Sequence, residues 1–355
     1  MKNRIALAVL PLTAVALAAC SSSGGTTAQP GGGSSSPAKI KQIVVATHDS
    51  WAAPKGLITQ FEQESGYTVK IVQNGDTGEL TNKLVLTKGS PIADAVYGID
   101  NTFATRAVDE GVLSQYHVTG FGTRYDLPGG AARYLTPIDW GDVCVNVDDA
   151  WFTAHHLAAP ASLDDLIKPA YKNLFVTPGA ATSSPGFAFL LATIAKYGTN
   201  GWQDYWNKLV SNGVKITAGW DDAFDVDYTA GGGNGDRPIV LSYNSDPVYS
   251  IPKGGTKPTT HALLDTCFQQ TEYAGVLAGA KNVPGAKAFI DFLTGKGFQE
   301  SLPENMYVFP ADPDAALPAE WAKWAPTPND PLTVAPDEIT KNRQDWLTQW
   351  SDITS

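Results

Sequence analysis

Apolar positions along this chain fall into two alternating periods. Short β-like runs occupy residues 42–47 (QIVVAT), 67–73 (YTVKIVQ) and 93–99 (ADAVYGI). Between them the spacing changes to that of a helix face: Leu57, Ile58 and Phe61, stopped by Gly66, then Leu80, Leu84 and Val85, ending near Gly89. Ala104, Ala107 and Val108 continue the series, with Gly111 after them. Strands alternating with helices predict an α/β fold with a mostly parallel, doubly wound sheet.

A second series follows the long run TPIDWGDVCVNVD at 136–148. NLFVTP (173–178), VKIT and IVLSY read as strands, and GGGNGDRP between the last two reads as a loop. Residues 187–197 are apolar nearly all round, which predicts a buried helix. Trp202, Tyr205, Trp206 and Leu209 form an amphipathic stripe, a pattern that belongs to core packing. CFQQTEYAGVLAG (267–279) reads as a long strand and 284–294 as a helix. The last helix starts near Pro336, a favourable first-turn residue, and presents Ile339, Trp346, Leu347 and Trp350.

The N-terminus breaks this pattern. Lys2 and Arg4 precede an apolar stretch, 5–19, too short to span a membrane well. It closes on Leu17-Ala18-Ala19-Cys20, which has the form of a bacterial lipobox. The reading is a signal peptide over 1–19, cleavage before Cys20, lipid on that cysteine, and anchoring by several acyl chains to the outer face of the cell membrane. Residues 20–39 are Ser, Gly, Pro, Thr and Ala with little apolar bulk, and are read as a flexible tether. The remaining chain is long enough for two lobes.

Charge narrows the partners. The formal charge is −11; Lys2 and Arg4 account for two of 25 basic residues, leaving 23 against 36 acidic ones, or −13. That balance argues against nucleic acid. Cys144 and Cys267 remain beside Cys20, and two cysteines in an exported chain favour a disulfide, with two buried thiols as the alternative.

Candidate chemistry is sparse. No nucleophile stands at a recognisable spacing from a base, and SSPGF is not a nucleophile elbow. His155 and His156 are adjacent and point apart, and His48 with Asp49 is a weak metal signal, so no metal site is expected. Thr182, Ser183 and Ser184 gather at the mouth of a helix, where hydroxyls cap the first turn and free amides attract anions. Asp49 and Asp100 each follow a predicted strand, where a carboxylate serves a ligand or caps the next helix.

Six stretches, in order, carry a family resemblance: HDSWA (48–52), GIDN (98–101), TSSPGFAFLL (182–191), TAGWDDAF (217–224), LSYNSDPVY (241–249) and LPENMYVFP (302–310). With them the chain resembles the thiamine-binding proteins that feed bacterial ABC importers, within the wider group of two-lobed solute-binding proteins. The resemblance implies the type II periplasmic-binding-protein fold: two doubly wound sheets joined by crossover strands, with the ligand in the cleft. It places lobe 1 at 40–138 plus 272–308, and lobe 2 at 139–271 plus 309–355. It puts the strands of Cys144 and Cys267 side by side near the crossover, making them the disulfide candidates. It implies a monomer that delivers its solute to a membrane permease with a cytoplasmic ATPase.

Thiamine carries a cationic thiazolium, a flat aminopyrimidine and a hydroxyethyl arm that phosphate can esterify. Aromatic faces attract such a cation, by roughly 2 kcal/mol each when it is desolvated. The motif positions supply Trp220, Tyr243, Tyr249 and Tyr307, the last where the family often has Trp. Asp49 and Asp100 would meet the rings, with Ser50 and Trp51 as lesser candidates. Thr182, Ser183, Ser184 and the amides from Gly186 onward would face the arm and its phosphate. Lys55 stands where the family often shows an aromatic residue. The ligand expected is thiamine or a thiamine phosphate, with no cofactor and no enzymatic turnover. An iron(III) binder would need a pair of adjacent tyrosines, and the chain has Ser242-Tyr243-Asn244. A polyamine binder remains open through Asp49, Asp100 and Asp221, and the reading from another class is a secreted hydrolase.

Overall fold

The computed structural model describes residues 40–355. Cys20, the signal peptide and the tether lie outside the described residues.

The chain begins with strand β1 (Gln42–Thr47), helix α1 (Lys55–Ser65), β2 (Thr68–Gln73), α2 (Thr77–Leu86), β3 (Ala95–Asp100) and α3 (Ala104–Asp109). Gly66 ends α1 in the left-handed conformation at φ 70°, its N–H returning to Glu62 O, which suits a residue without Cβ. Asp76 caps α2 by accepting the Thr77 N–H. The short β4 (Leu113–Ser114) leads to the long β5 (Thr136–Asp148).

The second series holds α4 (Asp149–Ala154), α5 (Leu163–Leu166), β6 (Phe175–Pro178), α6 (Ser184–Tyr197), α7 (Trp202–Ser211), β7 (Lys215–Thr217) and β8 (Ile239–Tyr243). Helix α6 is buried at every position from Ser184 to Ile194, as its all-round apolar sequence requires. Helix α7 buries Trp202, Tyr205, Trp206 and Leu209, and Trp206 Nε1 donates to Thr193 Oγ1 of α6 at 3.0 Å. The aromatic stripe is core, not ligand site. A π-helical turn, Asp222–Asp227, follows β7.

The chain then runs through β9 (Thr260–Leu277), seven residues longer at its start than its apolar pattern suggests, followed by α8 (Val283–Leu293), α9 (Lys296–Met306), β10 (Phe309–Pro310), α10 (Trp321–Trp324) and α11 (Pro336–Thr354). The strand order is β2-β1-β3-β9-β5-β8-β6-β7, with β10 beside β5 and β4 beside β9. The β1–β2, β1–β3, β6–β7 and β6–β8 pairs are parallel, whereas β9 and β5 pair antiparallel through the middle. Two parallel flanks are thus continuous with one another through two long central strands.

Each flank has its own apolar packing. Phe61, Phe289 and Phe298 pack on one face of the β1–β3 flank, and Leu80, Leu84 and Ala107 on the other. Trp202, Trp206, Trp346 and Trp350 pack with α6 on the β8–β6 flank. Cys144 of β5 and Cys267 of β9 form a disulfide beside the register shift at Val143/Val145. It closes a loop of 123 residues, a constraint that in the chain-entropy account stabilises by up to about 5 kcal/mol.

Candidate ligand-binding cleft

The parallel strands of both flanks deliver their C-terminal ends to one place. Beyond β1 stand His48, Asp49 and Ser50; beyond β2, Asp76; at the end of β8, Tyr243; beyond β7, Trp220; beyond β6, Ser184 at the start of α6. Glu272 comes from the middle of β9, and Met306 and Tyr307 from the end of α9. Backbone amides and carbonyls at strand ends are free of the ladder, which is why such sheets bind ligands there. All of these except Asp49 line a narrow cavity of about 60 Å³. A second cavity of about 200 Å³, reaching Asp49, Glu79 and Asp221, shares Ser50, Asp76 and Trp220 with the first.

The aromatic residues are held by their polar ends. Trp220 Nε1 donates to Ser242 Oγ at 2.7 Å, and its ring stacks on Phe224 with centroids 4.9 Å apart. Tyr243 Oη donates to Gln270 Oε1 at 2.9 Å, and Gln270 Nε2 donates to Ser184 Oγ at 2.7 Å. Tyr307 sits at φ 59°, a left-handed conformation rare for an aromatic residue, and its ring is backed by Tyr249 at 3.9 Å.

A buried ionisable network forms the floor. His48 Nε2 lies 3.3 Å from Glu272 Oε2, and His48 Nδ1 lies 3.1 Å from Ser50 Oγ. Burial pulls the imidazole pKa down, but Glu272, with Asp76 and Asp139 beyond it, outweighs burial and lifts it to about 9. The Asp139 carboxyl accepts the Tyr97 hydroxyl, and burial beside Glu272 pushes it well above the usual carboxylate range. Burial also raises Asp76, against hydrogen bonds from Ser183, the Trp220 N–H and the Thr77 N–H. The imidazolium faces the carboxyl groups of Glu272 and Asp76, and Asp49 and Asp221 line the second cavity. Acidic side chains thus outnumber basic ones along the cleft, which favours a cation. Among the described residues, no group of three His, Cys, Asp or Glu is arranged to hold a metal.

Gly98 makes the floor possible. A Cβ at Gly98, where φ is +100°, would lie 2.2 Å from His48 Cδ2. Of the twenty residue types, glycine alone tolerates both that backbone and that approach.

Of the residues expected from sequence, Ser50, Ser184, Trp220, Tyr243 and Tyr307 converge on the first cavity, and Asp49 joins them at the second. The others stand elsewhere. Trp51 is buried edge-on against Tyr97. Asp100 is buried and turned into its own loop, accepting from Thr102 Oγ1 at 2.9 Å and the Phe103 N–H at 3.1 Å, so it caps a turn. Thr182 gives its hydroxyl to Ala218 O at 2.6 Å, and buried Ser183 caps the Gly186 N–H. Gly186 is packed on the carbonyls of Pro178 and Gly179. Tyr249 stands behind Tyr307. Lys55 is exposed in the first turn of α1, outside the lining.

Asp76, Glu272, Asp139 and the role of His48 escape a linear reading. Asp76 follows a strand as Asp49 does, so the same criterion finds it. Glu272 directly precedes the apolar end of β9, 273–277, and an acid against such a run in a central strand is itself a signal.

Residues 56–329 match the family of bacterial extracellular solute-binding proteins. The chain belongs to that family. This solute-binding protein is 31% identical over 324 residues to a thiamine-binding periplasmic protein of Brucella abortus, spanning 88% of this chain and 92% of the relative. It is 28% identical to a thiamine-binding periplasmic protein of Salmonella typhimurium, spanning 90% and 96%. Among solved structures it superposes on a periplasmic thiamin binding protein with TM-score 0.76 at 25% identity, covering 88% of this chain and 96% of the other. Iron-bound HitA from Pseudomonas aeruginosa, at TM-score 0.68 and 19% identity, shares the fold, with 88% and 99% covered. The solute-binding protein thus has the type II periplasmic-binding-protein fold.

Proposed function

We propose that this protein captures thiamine in the cleft and delivers it to an ABC importer. The observation that carries this is the convergence of three aromatic faces, Trp220, Tyr243 and Tyr307, on a site where acidic side chains outnumber basic ones. A desolvated thiazolium gains from both. The relatives named for thiamine binding support the same reading.

The proposed lobes are 40–138 with 272–308, and 139–271 with 309–355. The three passages between them lie together: Asp139 registers with Glu272 on one side and with Pro310 on the other. In the present state α2 touches the other flank, Glu79 N–H donating to Thr182 O at 3.1 Å. A two-ring ligand exceeds the 60 Å³ open in the first cavity, so it enters as the flanks part or as Met306 and Tyr307 turn aside. The Ser184 hydroxyl reaches the cavity and is the group proposed for the hydroxyethyl arm, extending to a phosphate on it.

The chain is further proposed to be a lipid-anchored monomer, processed before Cys20, on the outer face of the cell membrane, and to perform no turnover. The five acidic residues of the second cavity, Asp49, Asp76, Glu79, Asp221 and Asp222, favour one competing ligand, a polyamine. Titration calorimetry with thiamine, thiamine monophosphate and spermidine decides. Thiamine binding at least about 100-fold tighter than spermidine is expected; spermidine binding the tighter overturns the reading. Loss of affinity on adding phosphate removes the phosphate extension.

A further inference from the structure

A third cavity lies on the opposite side of the central strands from the cleft. About 300 Å³ is enclosed by Arg124, Tyr125, Trp140, Phe309, Pro313 and Leu317, with neighbouring backbone. Its wall is a ladder of nearly parallel rings. Tyr125 stacks on Trp140 at 5.5 Å and 24°, and Trp140 on Phe309 at 4.6 Å and 19°. Trp140 is fixed by its Nε1 donating to Pro310 O at 3.1 Å, and it is the one residue of β5 that is not buried. Leu317 is 41% exposed at the mouth.

The charges at this mouth are unequal in availability. Arg124 lies over the Tyr125 ring at 5.5 Å and has no ion-pair partner among the described residues. Asp312 is engaged in its own turn, accepting the Asp314 N–H at 2.9 Å. Asp142, close enough to Arg124 to feel its charge, is largely buried and does not line the cavity.

The cavity is mechanically tied to the cleft. Successive residues of a strand face opposite sides, and Asp139 enters the cleft-floor network while Trp140 enters this cavity. Tyr307 and Val308 line the cleft, and Phe309 and Pro310 line this cavity. A continuous ring path also joins the two, from Phe309 to Trp321 at 4.7 Å, Trp321 to Tyr249 at 6.4 Å, and Tyr249 to Tyr307 at 3.9 Å.

We infer that this cavity is a second ligand site, for a flat aromatic molecule carrying an anionic group, and that its occupancy is coupled to binding in the cleft. The ring inserts along the Tyr125–Trp140–Phe309 wall and the anion meets the Arg124 guanidinium, a charge-assisted contact. The coupling arises because residues 307–308 line the cleft and 309–310 line this cavity, while Asp139 of the cleft-floor network adjoins Trp140, so a ligand that fixes this chain on one side biases the other.

The probes are indole-3-acetate, indole and tryptamine, titrated by calorimetry into the protein without any other ligand. Indole-3-acetate is expected to bind tightest. Arg124→Gln weakens it by about 10-fold and leaves indole unchanged. Ala315→Trp, which fills the cavity from a partly exposed position, removes binding of both, with folding checked by urea denaturation. Absence of heat for all three probes, or binding that ignores both substitutions, overturns the site; tryptamine as the tightest probe overturns the anionic class. These arms do not depend on the identity of the cleft ligand. The coupling arm does: saturating indole-3-acetate is expected to change the thiamine dissociation constant by about 5-fold, and equally in reverse. An unchanged constant overturns the coupling alone.

Discussion

The Asp76 carboxylate accepts the backbone N–H of Trp220 at 3.0 Å, across the cleft from its own helix. The same carboxylate caps α2 through Thr77 and reaches the Ser184 N–H at 3.4 Å. One acid thereby serves a helix start on one flank and two backbone donors on the other. It joins the flanks only when they are close, so it acts on closure as well as on charge.

Asp76→Ala removes the cap and leaves two donors without an acceptor. Thiamine affinity is expected to fall by about 10- to 100-fold, as for a charged hydrogen-bond partner. Stability falls by about 1 kcal/mol from the lost cap. Calorimetry and urea denaturation separate the two effects; Asp76→Asn, which retains an acceptor without the charge, recovers part of the stability and less of the affinity.

Trp220 and Tyr243 present the cationic ligand with faces anchored at Ser242 and Gln270. Trp220→Leu and Tyr243→Leu are each expected to weaken thiamine binding by up to about 30-fold, equivalent to about 2 kcal/mol. The double variant loses measurable retention in equilibrium dialysis. Wild-type retention in the double variant contradicts the proposed site.

The His48–Glu272 pair gives stability a pH dependence. The folded imidazole titrates near 9, above its unfolded value of 6.5, so its contribution is complete below pH 6.5 and is lost as pH rises through 9. The wild type is expected to exceed His48→Gln in urea denaturation at pH 6 by up to about 3 kcal/mol, with the gap closing by pH 10. Taking the difference between the two proteins cancels buried acids elsewhere. Asp100 and Asp246, raised to about 7 by burial, work in the same direction at lower pH: their contribution is full below about pH 4 and fades as pH rises to 7. A gap that does not vary with pH contradicts the charged pair.

Gly98→Ala tests the cleft floor without replacing a charged group. The added methyl meets the His48 ring on a backbone at φ +100°. A loss of about 2–4 kcal/mol in urea denaturation is expected, from backbone strain and overpacking together. Thiamine affinity falls as well, because the ring must leave Glu272.

The sequence is candid about local structure. The switch between two-residue and helical periods places strands β1–β3 and helices α1–α3 within a few residues, because that spacing selects which face is buried. Helix α6 and the α7 stripe are equally plain. The start of β9 is less so, since residues 260–266 mix exposed and buried positions and gain their ladder only from β5. Among site residues, Trp220 and Tyr243 are legible because each ends a strand or opens a helix. Asp100 meets the same criterion and yet folds back on Thr102 and Phe103, a choice made by local hydrogen bonds that a strand-end rule does not resolve.

Residue order alone determined the α/β class, the position of most elements and the aromatic residues at strand ends, because periodicity and caps act over a few residues. Tertiary structure decided which charges meet. His48 and Glu272 are 224 residues apart in the chain, and neither carries a local sign of the other. Only the register of β9 beside β3 sets them together in a buried place, where low polarity turns a weak attraction in water into one strong enough to hold the imidazole charged.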